Sequence, residues 1–96
     1  MDREKVRELL VDKYDYKNSQ VDTVLDKIAI FTEPTATAFQ RWLNTGEIDD
    51  TSVEGYTVKD ILARRQMKVP AAYLMLDWLT RDPAAAKAAL NAGRRD

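Results

Sequence analysis

The chain has no cysteine and no histidine. Without Cys there are no disulfides, thiolate zinc sites or cysteine nucleophiles, and without His the imidazole ligands and the commonest general base are gone. Catalysis would fall to carboxylates, Lys, Tyr, Ser or Thr, and no pair of these stands in a recognisable catalytic motif. The chain therefore reads as a non-enzyme with no cofactor. Only 3 Gly and 3 Pro accompany a hydrophobic content of 45%, a globular rather than a disordered composition. No apolar run approaches the ~20 residues that cross a bilayer. The start, Met1-Asp2-Arg3-Glu4-Lys5, has no apolar leader core. A cytoplasmic protein without membrane contact is expected, and the lack of Cys fits that compartment.

What is present is charge, at 32% of 96 residues, with a net charge of −1. Its distribution is uneven: residues 1–60 hold 8 basic and 13 acidic side chains, whereas 61–96 hold 7 and 3. A basic C-terminal third either faces an acidic partner or is an ordinary solvated surface. Against this background, Pro70 to Leu79 carries one charge, Asp77, in ten positions. A helix apolar on nearly every side is walled in by other helices or covered by a partner, so this segment is expected to be the central helix.

The rest of the chain reads as short helices. Val6, Leu9, Leu10 and Tyr14 form a stripe over Arg3 to about Lys13, with Asp2 as a capping residue. Ser19 and Asp22 resemble a capping box before a second stripe, Val21, Val24, Leu25, Ile28 and Phe31, which leaves Ile30 outside. Pro34 opens a third helix whose apolar face is Ala36, Phe39, Trp42 and Leu43, and Gly46 ends it. Residues 47–55 contain four acids and no helical period and read as a loop pinned by Ile48 and Val53. Asp49, Asp50 and Glu54 lack the spacing and internal Gly of a calcium loop. Thr57 and Asp60 form a short capping box for a fourth helix, running to about Gln66, with Tyr56 as a staple on Ile61. Asp82-Pro83 opens an Ala-rich sixth helix that ends near Gly93, leaving Arg94, Arg95 and Asp96 as a tail. The expectation is an all-α, compact single domain of five to six short helices around a central apolar helix at about 70–80. Possible halves are 1–45 and 56–93, joined by the acidic loop 46–55. A chain of this size is stable by roughly 5–10 kcal/mol.

Two segments resemble known modules. Thr57 to Leu79 resembles a helix-turn-helix in outline, with Arg64, Arg65 and Lys68 nearby; its second helix begins Ala71, Ala72, Leu74, Met75, side chains that offer no donor or acceptor to a base edge. Residues 3–45 resemble a ubiquitin-associated-type three-helix module through Leu9-Leu10, Val21 and Leu25, and Trp42-Leu43, which implies a peptide- or protein-docking surface. They depart from it at Lys13-Tyr14-Asp15-Tyr16-Lys17, where such modules carry a Met-Gly-Phe-like turn.

The functional expectation is a protein-interaction or regulatory module, its partner another protein or a second copy. Tyr16, an aromatic in a charged loop, and Met75 and Trp78, on the apolar helix, are the candidate partner-binding residues. The alternative is a nucleic-acid-associated protein contacting phosphates through Arg64, Arg65, Lys68 and Arg81. Asp77 has Arg81 four residues on, a spacing that pairs them at the solvent edge.

Overall fold

The structure, a computed structural model, describes residues 3–92. Asp2 as a cap, Gly93 as a helix end and the tail Arg94, Arg95 and Asp96 lie outside the described residues. The class is all-α: six helices are joined by short connections, and one two-stranded hairpin accompanies them among the described residues. The contacts group the chain into two compact units, one ending at Phe31 and one beginning at Thr32.

The first unit is a helical hairpin, α1 (Arg3–Asp12) and α2 (Asn18–Ile28). Its reversal is made by backbone bonds from Tyr14 N–H to Leu9 O and from Tyr16 N–H to Leu10 O, with Asp15 left-handed at φ 63°. Aspartate tolerates that conformation better than most residues. Arg3 pairs with Asp26 at 2.9 Å and Arg7 pairs with Asp22, so the helices run antiparallel. Val6, Leu10, Val21, Leu25 and Ile28 are buried, whereas Leu9 and Val24 are only half-buried. Helix α2 starts one residue before Ser19, and the bond at its start runs from Lys17 N–H to Gln20 Oε1 rather than between Ser19 and Asp22.

The second unit holds α3 (Thr35–Thr45), a hairpin of β1 (Ser52–Val53) and β2 (Tyr56–Thr57), α4 (Val58–Arg64), α5 (Val69–Arg81) and α6 (Pro83–Ala92). Helix α3 ends on Gly46 at φ 77°, and its inner face is Ala38, Phe39, Trp42 and Leu43, with Ala36 half-buried. The segment read as a plain loop contains β1 and the turn of the hairpin, which pairs in antiparallel register Ser52 to Thr57 and Val53 to Tyr56. Its turn places Glu54 at φ 53° and Gly55 at φ 83°, the two left-handed residues of the turn whose twist matches paired strands.

Thr57 then caps α4 as its spacing predicts: Asp60 N–H donates to Thr57 Oγ1 at 3.1 Å and Thr57 N–H to Asp60 Oδ2 at 3.0 Å. The backbone bond from Thr57, followed by its hydroxyl, holds the Asp60 carboxyl below its usual range. Thr57→Ala is expected to cost about 1 kcal/mol, the usual size of a lost cap, visible as a lower urea midpoint with an unchanged slope. Since the Asp60 pKa is lower in the folded state, its contribution is present above the unfolded carboxylate pKa and lost as pH falls through the folded value.

Helix α5 is the centre of this unit and touches α3, α4, α6 and β1. Tyr73, Leu76 and Leu79 have no exposed surface and Trp42 is 4% exposed; Phe39, also fully buried, joins them. Phe39 meets Tyr73 edge-on with centroids 5.4 Å apart and Trp42 at 5.7 Å. The ubiquitin-associated likeness implies one unit of α1, α2 and α3; instead α3 groups with α5.

Candidate functional site

Helix α5 turns different chemistry to different sides. At 100° per residue, Pro70, Ala72, Tyr73, Leu76, Asp77 and Leu79 occupy a wide buried sector. Ala71, Leu74, Met75 and Trp78, at i, i+3, i+4 and i+7, form a stripe on the remaining side, the first three half-buried and Trp78 37% exposed. Among the described residues, Ile30 at 60% and Trp78 are the large hydrophobic side chains classed as exposed. The structure thus places Met75 and Trp78 together on one accessible face and adds Ala71 and Leu74.

Tyr16 is a correction. Its loop is rich in charge, but the bond from its backbone N–H to Leu10 O turns the side chain inward, and it is 8% exposed. It offers little surface to a partner. Burial pushes its phenol up to about 12. The neutral phenol is the form the fold favours, so the Tyr16 contribution is complete below the unfolded pKa near 10 and lost as pH rises from there through about 12. Replacing Tyr16 with Phe is expected to flatten that alkaline decline; urea midpoints measured between pH 9 and pH 12 for both proteins give the comparison.

The basic residues are spread and engaged. Arg64 lies over the Tyr56 ring at 5.1 Å and reaches Asn91 Oδ1 at 3.4 Å. Arg65 donates to Ala89 O at 2.8 Å. Both guanidiniums therefore fasten α4 to its neighbours. Arg81 donates through Nε to Asp77 Oδ2 at 2.6 Å, and Lys68 stands at the N-terminal boundary of α5, exposed. Arg64, Arg65 and Arg81 are thus each engaged with groups of the fold.

Asp77 pairs with Arg81 at the expected spacing, but it is more deeply set than a surface pair, at 4% exposure. Its Oδ1 also accepts from Thr32 N–H at 2.9 Å and Thr32 Oγ1 at 2.8 Å. The carboxylate is an anchor that ties the start of this unit to its central helix, and its acceptor capacity is largely used. In the acidic stretch, Asp49 pairs with Arg41 at 3.1 Å and accepts from Thr51 N–H, and Glu54 pairs with Lys87 at 3.5 Å. Among the described residues no group of three or more carboxylates is arranged to hold a metal ion.

A shallow pocket in the first unit, about 70 Å³, is lined by Arg3, Val6, Leu25, Ile28 and Ala29. It is far below the ~300 Å³ at which small-molecule sites begin. No helix among the described residues is long and apolar enough to cross a membrane. No protein-family profile, curated protein or solved structure matches this chain.

Proposed function

We propose that this chain is a small cytoplasmic protein-interaction or regulatory module that works without catalysis and docks through the outer face of α5. The observation that supports this reading is the apolar stripe Ala71, Leu74, Met75 and Trp78 on the surface of the second unit, with an exposed Trp at its end. Tryptophan is enriched among the few residues that carry most of an interface's energy, and Met adapts its shape to a partner. The engagement of Arg64, Arg65 and Arg81 within the fold weighs against the phosphate-contact alternative.

The test is affinity capture with the tagged chain and its Trp78→Arg variant, at low and high salt, followed by analysis of protein and nucleic acid in the eluate. A protein retained at high salt by the wild type and lost by the variant is the expected result. Nucleic acid recovered only at low salt, and equally by both, would replace this reading with phosphate binding.

A further inference from the structure

We draw no further inference here: the strongest candidate, the apolar surface patch of Ala71, Leu74, Met75 and Trp78 on the outer face of α5, carries none beyond the docking role already proposed, because nothing in the structure shows what covers it.

Discussion

Phe39→Ala is expected to cost about 3–5 kcal/mol, the range for removing a buried aromatic ring. The ring has no exposed surface and packs between Trp42 and Tyr73, so truncation removes apolar burial and two aromatic contacts together. The edge-on contact with Tyr73 joins α3 to α5. Against a total stability of roughly 5–10 kcal/mol, a loss of this size takes most of the margin. Each kcal/mol lowers the melting temperature of a domain this small by roughly 4–8 °C, so the variant should be largely unfolded well below the wild-type transition. Phe39→Leu, which keeps much of the volume, should cost far less. Thermal melts followed by circular dichroism give the ordering. If Phe39→Ala melted within a few degrees of wild type, the aromatic cluster would not be the core of this unit.

The helices were legible in the sequence because their signals are local. Thr57 and Asp60 lie three residues apart and form the cap that their spacing predicts, Gly46 ends α3, and Asp82 accepts from Ala85 N–H at the start of α6. Each is a contact within one turn, which a pattern of neighbours records. The hairpin was not legible, since strands of two residues have no alternation to read, even though Glu54-Gly55 occupies a turn that favours Gly. The candidate face was legible only in part. In a helix apolar at almost every position, periodicity cannot say which side is outward, and packing against α3, α4 and α6 decided it. The same holds for the cations: Arg64 and Arg65 find their partners 27 and 24 residues away on α6, so a count of charges overstated the free basic surface. Thr35 is similar. It opens α3 as an ordinary polar residue, yet it is fully buried and its hydroxyl has no hydrogen-bond partner among the described residues, a consequence of packing that spacing does not encode.

Asp77→Ala is expected to be the most damaging single change at a polar residue, at about 2–4 kcal/mol. On spacing alone, the Asp77–Arg81 pair is an exposed i, i+4 contact of the kind worth a few tenths of a kcal/mol. The structure adds two facts that change the magnitude. The carboxylate is 4% exposed, and Thr32, 45 residues earlier, donates to it through both its N–H and its hydroxyl. Truncation to Ala removes the acceptor for all three donors, leaving the Thr32 amide and the Arg81 guanidinium to find water. The Arg81 side chain is 40% exposed and rehydrates easily, which keeps the cost below that of a fully buried ion pair. Asp77→Asn separates charge from shape. Its amide oxygen still accepts from Thr32, but the amide group facing Arg81 is neutral or presents a donor to a donor, so about 1–2 kcal/mol is expected. The Ala variant should therefore fall clearly below the Asn variant in urea denaturation, with Thr32→Ala recovering less than half of the gap when combined with either. Equal losses for Ala and Asn would mean that the Thr32 bonds contribute nothing and the ion pair alone acts. A gain of stability in Asp77→Asn would mark the carboxylate as a strained charge retained for another purpose, and would make it a candidate functional residue beside the α5 face.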